Sequence, residues 1–197
     1  ERFAHVGRDA WLARLQSGAV LDAGGHALAP YAPFAPNQRL FYYREVAAEP
    51  EPRESEVVLF QDAHLVVVDK PHFLPVVPSG AYLNETVLVR LKRQLGIDTL
   101  VPIHRIDRDT AGLVLFSKQP VSRAAYCALF SQHQVRKTYE AIAPWRAGLS
   151  WPITRSSRIE EAGHFMLQHE VPGVPNAITH MDVLEVHGDL ARYQLKP

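Results

Sequence analysis

The sequence predicts an α+β fold, a mixed sheet with packed helices, preceded by a small N-terminal module. Three observations predict it. Short runs rich in β-branched residues outnumber the stretches with helical periodicity. A proline-bearing, acidic stretch, 47–56, reads as a linker between a module at 1–46 and a larger domain at 57–197. Finally, 47% of the 197 residues are hydrophobic, enough for a core of ordinary size.

In the first region Asp9 is placed to cap a short helix carrying Trp11, Leu12 and Leu15, ended by Gly18. Ala19-Val20-Leu21 and Ala27-Leu28 flank Ala23-Gly24-Gly25, a hairpin pattern, and Leu40-Phe41-Tyr42-Tyr43 reads as a further strand. A helix followed by a glycine-turned hairpin loosely resembles the end of an S4-type RNA-binding module. In the second region Val57-Val58-Leu59-Phe60 and Leu65-Val66-Val67-Val68 suit buried strands. Pro71, Pro75 and Pro78 stiffen an extended segment that ends at Ser79-Gly80. Asn84 or Thr86 starts a helix with Val87, Leu88, Leu91 and Leu95 on one face and Arg90 and Arg93 on the other, closed by Gly96. Gly112-Leu113-Val114-Leu115-Phe116 is a strand, and Ser122 caps a helix bearing Ala125, Tyr126, Leu129 and Phe130. Residues 138–143, 178–186 and 190–195 supply three more strands.

The 21 basic and 21 acidic side chains balance, but they are unevenly spread. Residues 90–137 hold nine basic groups, among them Arg90, Arg93, Arg105 and Arg108, against three acids, Asp98, Asp107 and Asp109. A one-signed face attracts phosphate even on a neutral molecule. The bland reading is a solvated surface, and charge alone favours it. The single cysteine, Cys127, excludes an internal disulfide and a thiolate-rich zinc site, and suits a reducing cytosol. No apolar run approaches the roughly 18 residues that cross a bilayer, so no membrane partner is expected.

Chemistry concentrates in the loop between the Val87 helix and the Gly112 strand. His104, Arg105, Asp107, Arg108, Asp109 and Thr110 fall within seven positions, and such loops on a rigid scaffold commonly carry reactive groups. A carboxylate flanked by guanidinium groups stays ionised, and an ionised carboxylate serves as nucleophile or base. The plain alternative is an Arg–Asp bridge that braces the loop.

The stretch His104-Arg105-Ile106-Asp107-Arg108-Asp109-Thr110-Ala111-Gly112 resembles the signature of the RluA-type pseudouridine synthases, His-Arg-Leu-Asp-Arg-x-Thr-Ser-Gly. Ile106 stands for Leu and Ala111 for Ser. Upstream, Lys70-Pro71 and Leu74-Pro75-Val76 are similar to that family's Lys-Pro-x-Gly-Leu-Pro-Val segment, with Phe73 in place of the glycine. Downstream, Lys137-Thr138-Tyr139-Glu140-Ala141 looks like its Lys-x-Tyr-x-Ala strand. The resemblance implies a largely antiparallel pseudouridine-synthase-type sheet and isomerisation of uridine in structured RNA, ribosomal or transfer.

It also implies roles. Asp107 is the carboxylate that starts N-glycosidic cleavage. Tyr139 lies against the target uracil and assists proton transfer. Arg105 fills the gap left by the departing nucleotide. Lys70 and Arg108 position the loop or contact phosphate. Apart from the resemblance, the basic excess of residues 90–137 makes Arg90 and Arg93 further RNA-binding candidates. Asp109 is a solvated neighbour. The structural alternatives are a core role for Tyr139 and a surface role for Lys70. The chemistry needs no cofactor and no metal, and the sequence has neither a glycine-rich phosphate loop nor a zinc deaminase signature. A cytoplasmic monomer is expected. Family members continue past the strand at 190–195 into a basic segment that pairs with the catalytic aspartate, so the domain reads as C-terminally incomplete. The alternatives are a non-catalytic RNA-binding protein on the same fold, a glycosidase pairing Asp107 with Asp109, and a small-molecule enzyme on a similar sheet.

Overall fold

The computed structural model describes residues 6–42, 48–163 and 167–197. The chain divides into two compact units, Glu1–Tyr126 and Cys127–Pro197. The α+β class holds. Where the sequence reads as one mixed sheet from residue 57, the structure has two separate sheets, and every pairing among the described residues is antiparallel.

In the first unit, helix α1 (Arg8–Gln16) starts one residue ahead of Asp9. Gly7 takes the cap position without a side-chain bond, and Asp9 sits in the first turn, where its charge suits the helix dipole. The expected hairpin is short. β1 (Val20–Leu21) touches Ala27 through a single bridge and pairs mainly with β2 (Phe41–Tyr42). Asp22 closes the turn by accepting the N–H groups of Gly24 and His26 at 2.8 and 2.9 Å. Tyr43, read as part of that strand, lies outside the described residues.

The four-stranded sheet runs β3 (Val57–Gln61), β4 (Leu65–Lys70), β6 (Gly112–Ser117), β5 (Val101–Pro102) in spatial order. Alternation along β4 and β6 turns Val66, Val68, Val114 and Phe116 inward, where they are fully buried with Leu74, Val87, Leu91 and Leu100. The helix α2 (Val87–Leu95) supplies Val87 and Leu91 to this core. Of the two candidate starts, Thr86 is the cap, its hydroxyl accepting the Val89 N–H at 3.4 Å. The N–H groups of Val87 and Leu88 donate to the Pro75 and Val76 carbonyls at 2.9 and 3.0 Å. The proline-stiffened segment thus satisfies the helix end it precedes. Gly96, at φ +65°, closes the helix in the left-handed conformation expected of it.

Two acids of the stretch 47–56 are engaged in this unit. The Glu49 carboxylate accepts the N–H groups of Leu83, Asn84 and Glu85 at 2.7–2.8 Å and the Asn84 amide at 2.9 Å. Glu56 meets the Arg90 guanidinium at 3.0 Å.

Helix α3 (Pro120–Ser131) begins two residues before Ser122, because proline suits the first helical position. Ser122 lies in its first turn and donates to the Gln119 carbonyl.

The second unit carries a five-stranded sheet: β7 (Tyr139–Pro144), β11 (Leu190–Lys196), β10 (Ala177–His187), β8 (Ile153–Glu161) and β9 (Gln168–Val171), in spatial order. Its best-covered face holds Ala191 and Tyr193 of β11, with Trp151 against the Tyr193 ring at 5.0 Å. The Tyr193 hydroxyl donates to the Pro144 carbonyl at 3.0 Å. β8 and β9 escape a reading by apolar alternation because they are built of polar residues. Arg155 bridges to Glu170 across them, and the Asn176 amide bonds both backbone groups of Ile159.

Burial would raise the Glu49 pKa, but the hydrogen bonds from Glu85, Leu83 and Asn84 outweigh it and bring it down to about 2. A depressed carboxylate stabilises the fold above its unfolded value of 4.5 and loses that contribution as pH falls towards 2. Glu49→Gln should therefore lower the melting temperature at neutral pH. The gap to the parent should shrink between pH 4.5 and 2, and thermal melts across that window check it.

Candidate active site

The loop 103–111 joins β5 to β6, and its residues divide by the direction they face. Ile103 is buried and Ile106 packs against the core. His104 is partly buried, and its Nε2 accepts the Leu115 N–H at 3.2 Å, so that nitrogen carries no proton. With Ile103, His104 and Ile106 anchored, Arg105 and Asp107 stand exposed. The Asp107 carbonyl accepts the Thr110 N–H at 3.2 Å, closing a turn over 107–110. Gly112, opposite Lys70 in the sheet, leaves the turn at φ +124°, a value open to glycine, and nothing lies within 4 Å of where a Cβ would be. Conformation, not space, requires glycine there.

Lys70 fixes the loop from below. It follows Val66 and Val68 on the inward face of β4 and is fully buried. Its ammonium donates to the carbonyls of Pro71, Leu74 and Arg108 at 3.0, 2.8 and 3.0 Å. Of the two roles implied for Lys70, this geometry fits loop positioning and takes the ammonium away from phosphate. Burial pushes its pKa down to about 8, against the pull of the Asp109 and Asp107 carboxylates.

The Arg–Asp bridge considered as a plain alternative exists, but at Asp109. Arg108 Nε donates to Asp109 Oδ1 at 2.7 Å. Asp109 first, and Tyr82 to a lesser degree, raise the pKa of this guanidinium above its ordinary value. The hydrogen bond from Arg108 and the Arg108, Lys70 and His72 charges hold the Asp109 carboxyl below its usual range. Asp109 is thus a bridging partner and not merely a solvated neighbour. Among the described residues, the Asp107 side chain has no ion pair or hydrogen bond.

Three participants carry no signal in the loop motif. His72 Nδ1 donates to the Asp109 carbonyl at 2.7 Å. Phe73 adopts φ +66°, which for a bulky side chain costs about 1 kcal/mol. Tyr82 is the third. The glycine of the resembled segment marks the Phe73 position, and a departure from glycine was the available signal.

The remaining candidates are placed elsewhere. Arg90 is partly buried, paired with Glu56 at 3.0 Å and Glu85 at 3.3 Å, and bonded to Ser55. Arg93 is exposed and donates to the Asn84 side chain. Phosphate would have to compete with these partners. Tyr139 is half-buried at the start of β7, opposite Leu195, in the second unit. A hollow of about 450 Å³ is lined by Leu21, Asp22, Ala23, Gly25, Phe41 and Tyr42, none of them from the Asp107 loop. Among the described residues no cluster of His, Cys, Asp and Glu is arranged to hold a metal ion, and no helix is long and apolar enough to cross a membrane.

Lys70→Met should lower stability by about 2 kcal/mol. Leaving the carbonyls of the buried Pro71 and Leu74 unpaired costs about 1–3 kcal/mol each, which outweighs the relief of no longer burying the ammonium. The folded protein also holds the Lys70 proton less tightly than the unfolded chain. Stability due to this group therefore rises between pH 8 and 10.5, and that rise should be missing in the variant. Denaturant titrations at several pH values test both.

Comparison with known proteins gives a consistent picture. The model of a family described as RNA pseudouridylate synthase matches residues 64–197. An uncharacterized RNA pseudouridine synthase of Synechocystis is 34% identical over 142 residues, covering 72% of this chain and 48% of its own length. The ribosomal large subunit pseudouridine synthase D of Zymomonas mobilis is 31% identical over 121 residues, covering 55% of this chain and 38% of its own. The chain thus spans less than half the length of these two relatives. Among solved structures, the human RNA pseudouridylate synthase domain containing 4 superposes with a TM-score of 0.54 at 26% identity, over 71% of this chain and 58% of its own.

Proposed function

Because the chain belongs to the RNA pseudouridylate synthase family, we propose that it isomerises uridines in structured RNA, with Asp107 as the catalytic carboxylate. The observation that carries this reading is the exposed Asp107 side chain on a backbone anchored at Ile103, His104, Ile106 and Arg108. A reactive group gains most when its support is rigid and the group itself is open to substrate.

In the proposed reaction the N1–C1′ bond of uridine breaks, the uracil turns, and a C5–C1′ bond forms. N1 takes up a proton and C5 releases one. No redox change or phosphoryl transfer is involved, so the reading needs no cofactor. Asp107 attacks as nucleophile or removes a ribose proton as base, and either route requires the ionised carboxylate. Tyr139 is assigned to the face of the uracil and to proton transfer. The target nucleotide must leave its stack, which costs a few kcal/mol. Arg105, exposed two residues before Asp107, is assigned to the gap it leaves. Arg108 shapes the turn and Lys70 positions it, while Arg90 and Arg93 are assigned a secondary part on the RNA-binding face. Residues 1–46 are assigned as a small, S4-like RNA-binding module, and the catalytic domain as 57–197. Ribosomal and transfer RNA are the candidate substrates, and the cytoplasm is the proposed location.

Asp107→Asn in the full-length gene product should abolish tritium release from RNA labelled at C5 of uridine, while melting temperature and RNA affinity stay near those of the parent. Asparagine keeps the size of aspartate but is neither an effective nucleophile nor a base. A variant that folds, binds and still turns over would end this mechanism. Ribosomal and transfer RNA run as separate arms identify the substrate.

Arg105→Ala should reduce turnover more than affinity, since its assigned task is to hold the extruded state. Single-turnover rates measured beside binding titrations separate the two effects, and an unchanged rate would refute the insertion role.

A further inference from the structure

Beside the Asp107 loop, an exposed aromatic ring is held on a backbone that its own side chain disfavours. Phe73 has φ +66° and is 56% exposed. Its conformation is imposed from both sides. Lys70 holds the carbonyls of Pro71 and Leu74, and His72 Nδ1 donates to the Asp109 carbonyl. Glycine or asparagine would take this φ with less strain, and so largely open a ring gains little from packing to offset it. Strained residues that their surroundings over-determine cluster at ligand contacts.

The surroundings indicate what the ring meets. The His72 ring lies 5.8 Å away, tilted by 42°. The backbone carbonyls of Arg108 and Asp109, next in the chain after Asp107, are tied to the same segment through Lys70 and His72. The exposed charges of Arg108 and Asp109 lie on that turn. An apolar protein partner would have to bury those groups, at a cost. A nucleic-acid base offers a π face for the ring while its phosphates stay in water near cationic groups.

Building on the synthase reading, we propose that Phe73 is a stacking platform for an unpaired base of the substrate RNA, next to the nucleotide addressed by Asp107. The ring then contributes to the choice of RNA conformation, since a paired base in a duplex has no free face to offer.

The test compares the parent with Phe73→Asn, which tolerates positive φ but lacks the ring, and Phe73→Tyr, which keeps it. The probes are a stem-loop RNA with a fluorescent purine analogue in its loop, and the same stem fully paired. Phe73→Asn should melt at or above the parent temperature. It should bind the stem-loop about ten- to a hundredfold more weakly, bind the duplex unchanged, and lose the stacking-induced quenching of the analogue. Phe73→Tyr should behave as the parent. Equal stem-loop affinity and quenching in Phe73→Asn, or an equal loss on both RNAs, overturns the platform and leaves the synthase reading standing. A parent that binds neither RNA overturns both.

Discussion

The buried ammonium of Lys70 is the contact on which the geometry of the Asp107 loop depends. A charged group loses hydration when it leaves water, and the fall of its pKa to about 8 records that loss. What offsets it is a set of three backbone carbonyls drawn from two segments distant in sequence, 71–74 and 108. No apolar side chain on the inward face of β4 could bridge them. A leucine there would fill the space and leave the carbonyls unpaired. The lysine therefore joins two segments distant in sequence into a single rim. The Asp107 and Asp109 carboxylates add a favourable field at that rim, so the acidic groups of the loop and the buried cation support one another.

Part of the rim was legible in the sequence, because alternation and loop chemistry are local properties. Val66 and Val68 share one parity, but the strand reads as ending at Val68, so the burial of Lys70, which the sequence leaves between loop, phosphate and surface roles, emerges only because β4 runs on to Lys70. Thr86 and Gly96 bracket α2 by side-chain chemistry that acts within a turn. Other features were hidden because they depend on partners far along the chain. The strands β8 and β9 lack an apolar signature and depend on cross-strand pairs such as Arg155 with Glu170. The acids Glu49 and Glu56 look like solvated linker charges until residues 83–85 and Arg90 come round to meet them. Arg108 has aspartates on both sides in sequence, and only the fold selects Asp109.

The same dependence on distant partners changes what the basic excess of residues 90–137 means. Counted along the chain it suggests a broad cationic face. In the fold, Arg90 answers Glu56 and Glu85, Arg108 answers Asp109, Lys118 donates to the Asp62 carbonyl, and Arg123 donates to that of Thr99. Two of the nine basic groups are thus paired with acids, and two more are held by backbone carbonyls. A diffuse cationic face would attract any polyanion, because phosphate contacts carry no sequence information. Recognition that rests on few free charges must draw more on shape and on contacts with unpaired bases. On the proposed reading, the exposed Arg105, the open Asp107 and the strained, exposed Phe73 on or beside one rim supply such contacts.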